Sequence, residues 1–216
     1  YPAGLISKGE NTPVIFAVDK TRRLLRVYDF TASRPKVLAE FPSDIGKATG
    51  DKQRENDHKT PTGIYFLQKR LTQPEIPFSL YGSRAFTTDY PNIFDKRDHK
   101  GGSGIWLHAV PDTVPLTRGS RGCVVVRNDV IKKLENFINL KQTPLVIFDK
   151  LEEVAATEYD QEQNQYRTFF ETWRTAWEQH DVDTYIQFYD RSFKNADMNY
   201  DQWYRHKKKL KGFYKY

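Results

Sequence analysis

Residues 104–128 read GIWLHAVPDTVPLTRGSRGCVVVRN. Two short apolar runs bracket this stretch. Ile105-Trp106-Leu107 ends on His108, and Val124-Val125-Val126 follows directly on Cys123, the only cysteine of the chain. Both runs are rich in β-branched and aromatic residues, so they predict strands over 104–110 and 122–127. Laid side by side in one sheet, such strands bring an imidazole beside a thiol. An adjacent imidazole lowers the pKa of a thiol or removes its proton, which makes a nucleophile of it. The bland alternative is a small buried hydrophobe, the commoner fate of a lone cysteine. The surroundings favour chemistry. Gly119 and Gly122 let backbone approach a ligand closely. Ser120 and Arg121 set polar groups beside the sulfur, which a core position does not need. The amides of Gly122 and Cys123 can form an oxyanion hole if the turn aims them at one point.

Downstream, Asn128 or Asp129 is expected to cap a helix. Ile131, Leu134, Phe137 and Ile138 recur at helical spacing and give it an apolar face that braces the Cys123 turn. Pro144 to Phe148 predicts a last strand. Upstream, Val14 to Val18 and Leu24 to Phe30 predict a hairpin turning at Asp19-Lys20-Thr21, and Lys36 to Phe41 a third strand. Residues 43–59 are polar and read as a loop, either solvated surface or, because it leads into Thr60-Pro61-Thr62-Gly63, substrate-facing. Ile64 to Gln68 is another strand. Residues 70–104 show little periodicity and read as a long loop. Its aromatics Tyr81, Phe86, Tyr90 and Phe94 either line a groove or pack beneath the loop. His99, between charged neighbours and two glycines, reads as exposed.

The composition changes near residue 150. Residues 151–180 predict a helix with one aromatic stripe, Tyr166, Phe169, Phe170, Trp173, Ala176 and Trp177. Asp181 is expected to cap a second helix bearing Tyr185, Ile186 and Tyr189, and a third helix covers about 200–210. The cluster Arg205-His206-Lys207-Lys208-Lys209, with Lys211 and Lys215 beyond, reads as a solvated helix face rather than a nucleic-acid patch, since no recognition motif accompanies it.

With 216 residues and a net charge of +6, the chain can hold one sizeable domain and a smaller one, and its surface suits an anionic polymer. A single cysteine excludes an internal disulfide framework. No run reaches the roughly 18 apolar residues of a membrane span. The histidines lack metal-ligand spacing, so neither a metal nor another cofactor is expected. Nothing in the pattern signals an oligomeric state. Tyr1 is not an initiator methionine, so any targeting segment is expected to lie outside this chain.

The ordered motifs resemble the YkuD-type L,D-transpeptidase domain, whose pattern is a histidine, a spacer, then Ser/Thr-His-Gly-Cys. His108, Ser120, Gly122 and Cys123 match it. Lys59-Thr60-Pro61-Thr62-Gly63, Tyr90-Pro91-Asn92 and the strand ending Trp106-Leu107-His108 are similar to further family segments. Arg121 replaces a second histidine, Ala109 a glycine, and Val125 a polar residue. The resemblance covers about residues 12–150. It implies a mainly β catalytic domain, a sandwich with one bracing helix, over 13–150, after a lead-in of residues 1–12. Residues 151–216 are similar to the opening helices of an α+β NTF2-like domain, whose strands would follow Tyr216.

The family implies acyl transfer on peptidoglycan stem peptides by an exported, periplasmic enzyme. Cys123 would attack, His108 would act as base, and the Ala109 carbonyl would orient the imidazole. The Ser120 hydroxyl would tune the thiolate, with Gly122 in the oxyanion hole. Arg121, Arg127 and Tyr90 are the candidate substrate-binding residues, the arginines for a carboxylate. The domain order resembles the L,D-carboxypeptidases of bacterial cell-shape control. Cross-linking by an L,D-transpeptidase and a non-catalytic wall-binding module are the alternatives.

Overall fold

The computed structural model describes residues 1–6 and 13–213, the last three by backbone alone; residues 7–12 of the lead-in and Lys215 of the basic tail lie outside it. Two compact units divide after Ala155. No helix among the described residues is long and apolar enough to cross a membrane.

The first unit is built on eight strands: β1 (Val14–Asp19), β2 (Leu24–Asp29), β3 (Lys36–Pro42), β4 (Gly63–Leu71), β5 (Ala85–Thr88), β6 (Trp106–Ala109), β7 (Val124–Val126) and β8 (Pro144–Phe148). Their order in the sheet is β3-β2-β1-β8-β4-β5-β6-β7. The β1–β2 hairpin forms as its two apolar, β-branched runs predict, and Asp19 fixes its turn by accepting from the Arg22 amide at 2.8 Å. β4 belongs to both halves of the sheet. Gly63 to Phe66 pairs with β8, and Leu67 to Leu71 pairs with β5 across an irregularity between Leu67 and Arg70. A bulge of this kind bends a strand, which lets the halves face one another. Their inner side chains form one core, including Phe16, Leu25, Tyr65, Phe86, Leu107 and Val124. A second cluster with Ile15, Tyr28 and Val146 covers the outer face of β1, β2 and β8, which is why β1 is buried along its whole length.

Three helices punctuate the unit: α1 (Phe78–Tyr81), α2 (Ile93–Arg97) and α3 (Asn128–Glu135). Ile131 and Leu134 of α3 are fully buried, each contributing about 1.5–3 kcal/mol of apolar burial. Phe137 and Ile138 lie past the helix end yet still pack on the core. The expected cap differs. Arg127 occupies the N-cap position without a side-chain cap bond. Asn128 turns its amide elsewhere, and Asp129 pairs with Lys133 at 3.1 Å on the surface.

Two loop expectations are corrected. Residues 70–104 contain α1, β5 and α2, whose short runs carry too few residues to show a period. Residues 43–59 are not simply solvated: Ser43, Asp44 and Lys52 are buried, as is Thr60 just beyond. Their charges are tolerated because they are paired, Lys52 with Asp57 and Asp44 with Arg23, both at 2.8 Å.

The second unit opens with α4 (Ala156–Glu178), which starts five residues later than its periodicity suggests, because Leu151 belongs to a core cluster of the first unit. Asp181 caps α5 (Val182–Tyr185) by accepting from the Thr184 amide at 3.2 Å. A 3-10 turn (Ile186–Phe188), a small hairpin of β9 (Lys194–Asn195) and β10 (Met198–Asn199), and α6 (Tyr200–Phe213) follow. The aromatic stripe of α4 packs partly within the unit, Phe169 against Phe188 at 4.9 Å and Trp177 against Tyr185 at 5.2 Å. The Lys207 ammonium lies over Trp177 and Trp203 at 3.9 and 4.3 Å.

Candidate active site

Alternation along β6 and β7 decides which side chains meet. The strands are parallel neighbours, with Leu107 opposite Val124, His108 opposite Val125 and Ala109 opposite Val126. Leu107, Ala109, Val124 and Val126 face the main core. His108 and Val125 therefore share the other face with Cys123, two residues before Val125. All three line one cleft of about 190 Å³. Parallel neighbours need a crossover of a dozen residues or more. Here residues 110–123 supply it, and Val114, Pro115 and Arg118 of that loop form a wall of the cleft.

His108 is buried, and its Nδ1 lies 2.6 Å from the Ala109 carbonyl. Bonding to a carbonyl requires Nδ1 to carry the hydrogen, so the neutral ring keeps its lone pair on Nε2. Tyr81 stands edge-on to the ring, centroids 5.1 Å apart. Burial pushes the imidazole pKa down to about 4, and the charge of Arg118 acts in the same sense, against the Ala109 bond. Cys123 is half-buried and donates to the Gly104 carbonyl at 3.5 Å. Burial pushes its thiol up to about 11, opposed by the Trp106 amide and the Lys52 ammonium. Both shifts favour the uncharged forms, a thiol and a neutral imidazole.

The turn carrying Cys123 is held from within and from outside. Ser120 Oγ accepts from the Gly122 amide at 3.0 Å and donates to the Cys123 carbonyl at 2.7 Å. Ser120 therefore shapes the turn rather than bonding the sulfur, and the Gly122 amide is engaged. Gly122 has φ +129°, and a Cβ there would lie 2.7 Å from the Lys59 carbonyl. The chain itself, rather than a ligand, makes the close approach. Asp44 supplies the outer hold. Its amide and carbonyl both bond Val125, and its carboxylate accepts from the Gly119 amide at 2.6 Å and the Ile45 amide at 2.9 Å.

Arg121 and Arg118 are exposed and both line the cleft. Arg127 is turned away to the Val114 carbonyl at 2.6 Å, where it fixes the crossover loop. Tyr90 is buried in the core and donates to the Gly101 carbonyl at 3.0 Å. Neither of these two candidates is brought to the cleft with Cys123. Of the four candidate groove aromatics, Tyr81 lines the cleft, Phe86 and Tyr90 pack in the core, and Phe94 is exposed beneath Arg97. Asp44 and Arg118 went unnoticed in the sequence. No local pattern marks Asp44, whose partners lie some 75 residues on, while Arg118 could have been flagged by its closeness to the Ser120-Arg121-Gly122-Cys123 turn. Asn128 ties two loop segments together: its side chain accepts from the Ser83 amide at 2.7 Å and donates to the Val110 carbonyl at 2.9 Å.

Comparison with known proteins places this geometry. Residues 13–147 match the L,D-transpeptidase catalytic domain family YkuD, and residues 165–214 match the Cds6 C-terminal NTF2-like domain. A solved structure of Bd1075 from Bdellovibrio bacteriovorus is 53% identical with a TM-score of 0.88, covering 100% of this chain and 78% of that one. The helical cell shape determining protein Pgp2 from Campylobacter jejuni is 31% identical with a TM-score of 0.77, covering 97% of this chain and 73% of that one. YafK of Escherichia coli is 24% identical over 128 residues, 59% of this chain and 48% of its own length. The chain spans about half the length of the curated relatives it matches. Its first unit carries His108 on β6 and Cys123 in the turn just before β7, the parallel neighbour of β6, within the matched residues, and the chain belongs to the YkuD family of L,D-transpeptidase catalytic domains.

Proposed function

We propose that this chain is the catalytic part of an L,D-carboxypeptidase that trims peptidoglycan stem peptides outside the cytoplasm, with a role in cell shape like that ascribed to Pgp2. The observation that carries the reading is the placement of His108 and Cys123 in one cleft, with Nδ1 pinned to Ala109 and Nε2 left as base. In the proposed reaction His108 Nε2 takes the thiol proton as Cys123 Sγ attacks the carbonyl of the L-centre of the third stem residue. The protonated imidazole then gives that proton to the departing amine of D-Ala, leaving a thioester. Water, deprotonated by His108, attacks the thioester and releases the tripeptide and the thiol. The Cys123 amide is the proposed oxyanion donor, joined by the Gly122 amide when Ser120 Oγ releases it. Arg121 and Arg118 are suited to the terminal carboxylate.

Family membership supports L,D-transpeptidation as the second reading, since the same thioester serves an amine acceptor. Mass spectrometry of tetrapeptide wall fragments, incubated with the protein or its Cys123→Ala variant, tests the reading. Loss of one D-Ala without new dimers, absent in the variant, is expected. New dimers joined between third residues would establish the transpeptidase instead, and equal products from protein and variant would remove Cys123 from the chemistry.

A further inference from the structure

Helix α1 is four residues long, and none of them is buried. Phe78 and Leu80 stand half exposed. The helix therefore adds little to the core, yet its end is pinned to β6. The Gly82 amide closes the helix on the Phe78 carbonyl at 2.9 Å, and Gln73 donates to the Gly82 carbonyl at 2.8 Å. Gly82 has φ +59°, and a Cβ there would lie 2.7 Å from the Ala109 Cβ. Only glycine lets the chain pass β6 so closely.

That approach sets Tyr81 over the outer face of β6. Trp106 and His108, two residues apart, share this face. The Tyr81 ring meets both, its centroid 4.9 Å from that of Trp106 and 5.1 Å from that of His108, the latter pair at 74°. Opposite His108 on β5 stands Ala85, part of the small buried cluster on which Tyr81 and Trp106 pack. The end of α1 thus reaches the histidine twice. Gly82 packs on Ala109, whose carbonyl meets Nδ1, and Tyr81 packs on the ring itself. The second contact matters because the terminal torsion of a histidine has a broad minimum, so one bond at Nδ1 leaves the ring plane loosely defined. Among the described groups around the ring, charge does not supply that hold. Asp44 is bound to Arg23, and Arg84, next to Ala85, is paired with Glu135. Arg118 and Arg121 are exposed cations at the mouth, and Cys123 is a half-buried thiol.

We propose that Tyr81 is a positioning residue for the reaction: its ring, set against both Trp106 and His108, holds the imidazole at the Ala109 carbonyl and keeps water from it, so that Nε2 stays free to take the thiol proton. This rests on His108 being the base of the proposed reaction. The test is an NMR titration of the His108 ring in the full chain from pH 8 downward, without wall substrate, its signals assigned by their absence from His108→Gln. The parent ring should carry its hydrogen on Nδ1 and titrate only near pH 4. Tyr81→Ala opens the ring to water. Its midpoint should rise by about one unit or more toward the ordinary value of about 6.5, with both neutral tautomers present. Tyr81→Phe keeps the ring and should titrate within about 0.3 units of the parent. In turnover of tetrapeptides, Tyr81→Ala should lower kcat about tenfold or more with little change in KM, and Tyr81→Phe should recover most of it. A residue that merely packed α1 would lower the melting temperature and leave midpoint and tautomer where they are. An unchanged midpoint in Tyr81→Ala, or a shift as large in Tyr81→Phe, overturns the proposal. If Tyr81→Ala does not fold, Tyr81→Leu, which keeps apolar bulk without the ring, decides in its place, and an unchanged midpoint and tautomer there are equally fatal. The titration needs no turnover, so a chain inert on wall fragments would sink the carboxypeptidase reading without altering this comparison.

Discussion

At the scale of single residues, the most informative feature is the opposed displacement of the two partner groups. Burial holds His108 neutral down to about pH 4 and Cys123 protonated up to about pH 11. Trimming of wall peptides should therefore stay level as pH falls from 7 to about 5. A pH–rate profile with an inflection near the ordinary imidazole value of about 6.5 would refute the buried-base account. The same displacement has a stability consequence. The folded pKa of His108 lies below its unfolded value, so the unfolded chain binds the extra proton first. The contribution is intact above about pH 6.5 and is lost as pH falls toward 4, by roughly 3 kcal/mol in total. Denaturant melts across this window should show a flatter acid limb for His108→Gln. For the exposed arginines, Arg121→Gln and Arg118→Gln should each raise KM for a tetrapeptide about tenfold with little change in kcat, the pattern for a group that holds the carboxylate in ground and transition states alike. An unchanged KM in both variants would place the carboxylate elsewhere. His108 and Cys123 were legible because each sits at the end of a short apolar run that a sheet can lay beside the other. The sequence did not reveal where Arg127 and Tyr90 point, because that depends on the crossover loop and on packing around Gly101.

At the scale of elements, the strands read well wherever a compact apolar, β-branched run marked them, even over the three residues of β7. β5 was missed because Ala85-Phe86-Thr87-Thr88 holds no such run. The charges of 43–59 misled for a different reason. Their partners, such as Arg23 for Asp44, lie elsewhere in the chain and carry no local mark. The start of α3 shows the same effect in one residue. Asn128 looked like a cap, yet its side chain joins the Val110 and Ser83 backbones. Its replacement by Ala should cost about 1–3 kcal/mol, as its hydrogen bonds to the Ser83 amide and the Val110 carbonyl disappear. Asp129→Ala, which loses only an exposed pair with Lys133, should cost less than about 0.5 kcal/mol. Chemical denaturation of the two variants decides between them, and equal losses would return Asn128 to an ordinary capping role.

At the scale of the molecule, the change of composition near residue 150 was the visible mark of two units, and contacts place the division after Ala155. All three buried clusters of the first unit draw on residues no later than Leu151. A chain ending at Ala155 should accordingly unfold in a single cooperative transition, checked by agreement of near- and far-UV circular dichroism melts. Loss of the near-UV signal alone would show that its core needs residues beyond 155.

The sheet order carries a consequence for synthesis. β8, the last strand of the first unit, is inserted between β1 and β4, and it is what joins the hairpin half to the half that bears His108 and Cys123. A nascent chain that has yet to emerge as far as Phe148 therefore holds two partial sheets, each with an open edge. Contacts that span so much of the chain form late and slowly. The hairpin half and the half that bears His108 and Cys123 are therefore joined only once the chain has emerged as far as Phe148.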